Sequence, residues 1–144
     1  MLVVLAGCGA AGGSATPGEG AGLHVIVEGA DAPSAPAMTA ALRRHPDVVT
    51  RRRTARYALG GTSAFTIDRG GTRGVTVRCE LSMMLASMPQ RALVATQRGA
   101  ARVVVPDEPG SIARGRRECV AAVVDALVDD KILPMLRVRA RSQP

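Results

Sequence analysis

Three cysteines, two histidines and a run of consecutive arginines are the residues whose types permit chemistry beyond packing. Cys79 and Cys119 leave two readings open. In an oxidising compartment they would pair, closing a loop of about 40 residues worth roughly 2–4 kcal/mol. As free thiols they would be ordinary core residues. His24 and His45 have no cysteine or carboxylate at ligand spacing, so no metal site is expected. No G-x-S-x-G elbow places a serine nucleophile, and no enzymatic constellation stands out. Arg51, Arg52 and Arg53 have the donors to grip a phosphate or carboxylate. Asp107, Glu108, Asp125, Asp129 and Asp130 read as solvated surface, and Met83, Met84 and Met88 as fillers of core gaps.

Gly7-Cys8-Gly9-Ala10-Ala11-Gly12 fits G-x-G-x-x-G, with Leu2–Ala6 as a candidate strand before it. Such glycines let backbone amides approach a pyrophosphate where a helix begins. Residues 12–18, Gly-Gly-Ser-Ala-Thr-Pro-Gly, oppose that helix, because glycine and proline are the poorest helix formers. A cytosolic nucleotide-binding protein using Gly7–Gly12 as its phosphate loop is therefore the alternative, not the leading reading.

The same segment contains Leu5-Ala6-Gly7-Cys8, which resembles the lipobox of bacterial lipoproteins residue by residue. The resemblance implies cleavage between Gly7 and Cys8 and a diacylglyceryl group on the Cys8 thiol. It also implies a cell-envelope address, anchored to a membrane and facing the periplasm. Lipidation of Cys8 would leave Cys79 and Cys119 as an even pair. The apolar run Leu2–Ala6 is short and no basic residue precedes Cys8, so the natural start is expected upstream of Met1. Residues 9–22, rich in glycine with Ser14, Thr16 and Pro17, have the composition of a tether.

Composition sets the limits on the remainder. A chain of 144 residues that is 47% hydrophobic supports one domain with a real core. Tyr57 and Phe65 are its only aromatic residues, so that core is built from aliphatic side chains and methionine. The net charge is +7, and Lys131 is the one lysine among 19 basic residues. Such a bias towards arginine, alanine and glycine is what a GC-rich coding sequence produces. A basic nucleic-acid-binding module remains a second alternative on charge alone. It lacks the aromatic residues on which single-stranded bases stack, and nucleic acid is not the expected partner.

Periodicity supplies the elements that would position these residues. Leu23–Gly29 reads as a strand. Ser34 is expected to cap a helix that ends at His45-Pro46. Gly60-Gly61, between β-forming runs, predicts a hairpin turn, and residues 68–74 a second turn. Val75, Val77, Cys79, Leu81, Met83 and Leu85 alternate with polar residues, the pattern of a strand with one buried face. Arg91–Arg98 is a further strand candidate, followed by Val103-Val104-Val105. Ser111 is expected to cap a last helix whose stripe runs through Ile112, Cys119, Val120, Val123, Val124, Leu127 and Val128. Its end is expected near Pro134, with frayed residues after Arg137.

The order predicts an α/β (α+β) two-layer sandwich, a mostly antiparallel sheet of about 4–5 strands with two helices on one face. Residues 1–7 form the signal-like segment, 8–22 the lipidated cysteine and tether, and 23–140 a single domain. The expected role is that of an envelope-anchored lipoprotein with a non-catalytic interaction or scaffold domain. It would need no cofactor. Its partners would be the membrane, through the anchor, and an envelope protein or the cell wall.

Overall fold

The computed structural model describes residues 22–142. Cys8, the tetrapeptide Leu5–Cys8 and the Gly7–Gly12 segment lie outside the described residues. The elements run β1 (Leu23–Ala30), α1 (Ser34–Arg43), β2 (Val48–Val49), β3 (Tyr57–Asp68), β4 (Val75–Ser87), β5 (Ala92–Val105), α2 (Pro109–Leu127) and α3 (Leu133–Ser142). A 3-10 turn at Arg52–Thr54 precedes β3, and a π turn at Val128–Ile132 joins α2 to α3.

The strands form one five-stranded sheet in the order β2-β1-β3-β4-β5. It is mixed: β1 is parallel to both neighbours, while β3, β4 and β5 make a long antiparallel meander. The parallel pair β1/β3 follows from α1, which carries the chain back across the inner face between them. The two-layer α+β sandwich is as the residue pattern implies. Its core lies between sheet and helices, around Met38, Leu42, Leu59, Leu81, Met83, Leu85, Val120 and Val124. Every inward residue of the β4 alternation is buried, and so is the whole α2 stripe from Ile112 to Val128. Cys79 on β4 and Cys119 on α2 are joined by a disulfide, with a Cα–Cα distance of 6.1 Å. The bond ties the sheet to the helix that covers it.

Five local expectations are corrected. Gly60-Gly61 is no hairpin turn but the middle of β3. A Cβ on Gly60 would lie 2.5 Å from the Glu28 carbonyl oxygen, and one on Gly61 2.6 Å from that of Ser82. Gly60 is there because β1 bulges against it, with Gly29 at φ 74°, and Gly61 because the β4 backbone and Met38 leave no room for a side chain. Gly99 does not divide the last strand, since β5 runs unbroken under α2. A Cβ on Gly99 would meet Val123 Cγ1 at 2.8 Å.

The caps are also different. Ser34 lies inside α1, and the amide of Ser34 is capped by Asp31 Oδ1 at 3.1 Å. Pro109 opens α2 at its first position, where a missing N–H costs nothing, so Ser111 sits in the first turn rather than before it. Finally, the last helix does not stop at Pro134. The π turn just before Pro134 re-routes the backbone bonding that a proline would break, and buried Leu133 and Leu136 hold α3 on the core through Ser142.

Candidate interaction surface

All three helices pack into the core on one face of the sheet, so the outer face of β3, β4 and β5 is open. Its composition follows from strict alternation: as Val77, Cys79, Leu81 and Met83 turn inward, Arg78, Glu80, Ser82 and Met84 turn outward. The register aligns these in rows. Thr66, Arg78 and Arg102 form one, Ala64, Glu80 and Ala100 the next, and Thr62, Ser82 and Arg98 a third. Small side chains in the middle row leave an open concavity of about 440 Å³, lined by Thr62, Ala64, Glu80, Ser82, Arg98 and Ala100 among others. Arg78 and Arg102 face each other directly across the strands, a like-charge pairing that disfavours the sheet unless an anion or carboxylate screens it. Neither has an ion-pair partner among the described residues.

Towards the β4–β5 turn the same face becomes apolar. Met84 is 47% exposed and Leu93 66% exposed, beside Ala58, Gly60 and Ala86. The face thus combines cationic, polar and apolar zones.

The arginine run lies on the loop that leaves β2. The side chain of Arg52 turns to Glu28, Nη1 to Oε2 at 3.1 Å, and Arg91 from the β4–β5 turn reaches the other oxygen of Glu28. Arg51 and Arg53 flank Arg52 in the chain, and all three are exposed. His24 is buried, with Nδ1 2.7 Å from Thr54 Oγ1, which fastens the 3-10 turn to β1. Among the described residues, no three His, Cys, Asp or Glu side chains converge as a metal site would require. Nor, among those residues, is any helix long and apolar enough to cross a membrane.

One polar cluster has no warning in local sequence. Asp125 and Asp129, one turn apart on α2 and the π turn, both receive Arg44 from the end of α1, at 3.0 and 3.3 Å. His45 Nε2 lies 2.7 Å from Asp129 Oδ1. Arg137 on α3 makes a two-pronged contact with Asp47, at 2.9 and 3.1 Å. The hydrogen bond from Arg137 holds the Asp47 carboxyl below its ordinary value, and the same bond raises Arg137. These contacts strap α1 and α3 to α2. The i, i+4 spacing of the two aspartates was the only available signal.

No protein-family model matches the chain, and no curated protein matches it by sequence. Solved structures do match its fold. The DUF330 protein XCC0632 from Xanthomonas campestris aligns with a TM-score of 0.60 and 12% identity, over 89% of this chain and 94% of that one. A Caulobacter crescentus protein named as a lipoprotein aligns at 0.56 and 12% identity, over 83% and 93%. A minor lipoprotein from Acinetobacter baumannii aligns at 0.50 and 12% identity, over 83% and 94%. The fold is thus shared with proteins named as lipoproteins. At these identities the likeness extends to architecture and not to residue roles.

Proposed function

We propose that this chain is an envelope-anchored lipoprotein whose folded part is a non-catalytic interaction or scaffold domain. The observation that carries the reading is Leu5-Ala6-Gly7-Cys8, followed by residues 9–22 and then by a domain that opens at Leu23. Three further features support it. The Cys79–Cys119 disulfide suits an oxidising compartment and not the cytosol. The fold is shared with proteins named as lipoproteins. The open face of β3–β5, with its cationic and apolar zones, offers a partner a broad surface.

Intact mass of the protein extracted from membranes of its native cells tests the reading. A chain that begins at Cys8 and carries a diacylglyceryl or triacyl group is the expected product. The Cys8→Ser variant should lose that mass and move to the soluble fraction. An unmodified chain that retains Met1 and never partitions with membranes would overturn the proposal.

A further inference from the structure

The domain has two unlike ends. At one, the start of β1, the loop after β2 and the β4–β5 turn meet. The Leu23 amide donates to the Asp47 carbonyl at 2.7 Å, the Arg56 amide to the His24 carbonyl at 3.0 Å, and the Met88 amide to the Arg56 carbonyl at 2.7 Å. This end gathers Arg51, Arg52, Arg53, Arg56 and Arg91, with Arg137 arriving from α3 and Arg141 one turn further on. Its carboxylates are fewer and engaged: Glu28 is shared by Arg52 and Arg91, Asp47 is taken up by Arg137, and Asp129, with Asp125 beside it, is held by Arg44 and His45. The opposite end, formed by the β3–β4 turn and the loop before α2, sets Asp68, Asp107 and Glu108 against Arg69 and Arg73, with Arg69 paired to Asp107.

The basic end is also where residues 1–22 join the domain, immediately before Leu23. We infer that this end is a docking surface for the anionic headgroups of a lipid bilayer. The inference rests on the anchored reading for its orientation. Residues 9–22 reach at most about 50 Å even when fully extended, so the anchored domain stays within that distance of the bilayer and the end that they enter can reach its surface. Within about 10 Å of an anionic surface the guanidinium groups feel its potential, beyond which salt screens them. The acyl chains on Cys8 would supply the anchorage, and a basic patch would add electrostatic attraction to anionic headgroups that orients the domain. Aromatic residues, which base stacking needs, are absent from this end apart from buried Tyr57. The chemistry therefore favours a bilayer over single-stranded nucleic acid.

The test uses the full chain as Cys8→Ser, so that no acyl group contributes and the outcome is independent of the lipoprotein reading. Co-sedimentation is measured with vesicles of phosphatidylcholine, alone or with phosphatidylglycerol mixed in. Binding only to the anionic vesicles, weakening as salt rises, is expected. Adding Arg53→Glu, Arg56→Glu and Arg141→Glu together should lower the partition coefficient by at least roughly a hundredfold, since loss of each basic residue near the surface alone removes about fivefold and the introduced carboxylates repel the surface further. Arg73→Glu, Arg114→Glu and Arg117→Glu, an equal charge change on the β3–β4 turn and the first half of α2, should lower it only a few-fold. Thermal melts confirm that both triple variants are folded. Equal losses from the two sets would reduce the effect to net charge and overturn the docking surface. So would absence of binding to anionic vesicles, or retention on a DNA column without vesicle binding.

Discussion

Removing the Cys79–Cys119 bond is the perturbation whose effect can be worked most directly from the structure. The two residues are 40 positions apart, and both side chains are fully buried. Opening a loop of that length returns about 13 cal/mol/K to the unfolded chain, or about 4 kcal/mol at 25 °C. For a domain of about 120 residues the unfolding entropy is about 0.25 kcal/mol/K, so the loss corresponds to a melting temperature lower by about 15 °C. The Cys79→Ala/Cys119→Ala pair should lose somewhat more than chemical reduction, because it also removes two buried sulfurs and leaves small voids. The assay is urea unfolding followed by circular dichroism, with and without dithiothreitol, in a Cys8→Ser background so that no third thiol exchanges. The urea dependence should steepen once the bond is gone, as the unfolded chain expands. If thiol titration counts two free sulfhydryls and the stability changes by less than about 1 kcal/mol, the loop-entropy reasoning fails. The unfolded chain would then already be restrained around that loop.

Two further perturbations probe how the layers meet. Gly99→Val should destabilise by about 1–3 kcal/mol, because the new side chain must displace Val123 and Leu127 from β5; a urea midpoint unchanged from the parent would mean that α2 is free to lift off the sheet. Asp31→Ala should cost about 1 kcal/mol near neutral pH through loss of the α1 cap. That difference should vanish in acid. Burial opposes the Asp31 charge, but hydrogen bonds from Ser34 and Ser63 outweigh it and hold the carboxyl below its ordinary 3.8. Its contribution is therefore complete above that value and is lost as pH falls through the lower folded-state pKa. Acid unfolding curves of parent and variant that stay parallel below pH 3.8 would refute the assignment.

The parts of the fold that were legible are those where one physical rule acts alone. A strand with one wet face must alternate, and Val75–Leu85 does; a helix lying on a sheet must show a stripe, and Ile112–Val128 does. The errors fall where tertiary contact overrides a local rule. Gly60-Gly61 reads as a turn because glycine usually signals one, whereas here it relieves clashes with the β1 bulge and the β4 backbone. Pro134 reads as a stop because its ring breaks α-helical bonding, whereas the π turn and two buried leucines carry the helix past it. The straps between Arg44 and Asp125 and between Arg137 and Asp47 join residues 81 and 90 positions apart, a separation at which no periodicity survives. Of the candidate surface, the outward residues of β4 were legible from alternation. The alignment of Arg78 with Arg102 required the register.

These two groups of interactions divide the work of specifying the domain. Apolar alternation decides which faces meet, and it would be satisfied by several lateral placements of α1 and α3 over the sheet, since aliphatic side chains impose little directional preference. A core without Trp, holding a single Tyr and Phe, makes that ambiguity larger. The ion pairs resolve it. Arg44 finds both Asp125 and Asp129 at one placement of α1, and Arg137 meets Asp47 at one placement of α3. Exposed pairs of this kind add little stability each, so their value lies in selecting an arrangement and not in holding it. Stability against unfolding rests instead on burial and on the disulfide, which fastens β4 to α2, the two elements whose apolar patterns are clearest. Such a division leaves the outer sheet face without a part in folding. Its arginines can then be set out for a partner although Arg78 against Arg102 is unfavourable for the sheet itself.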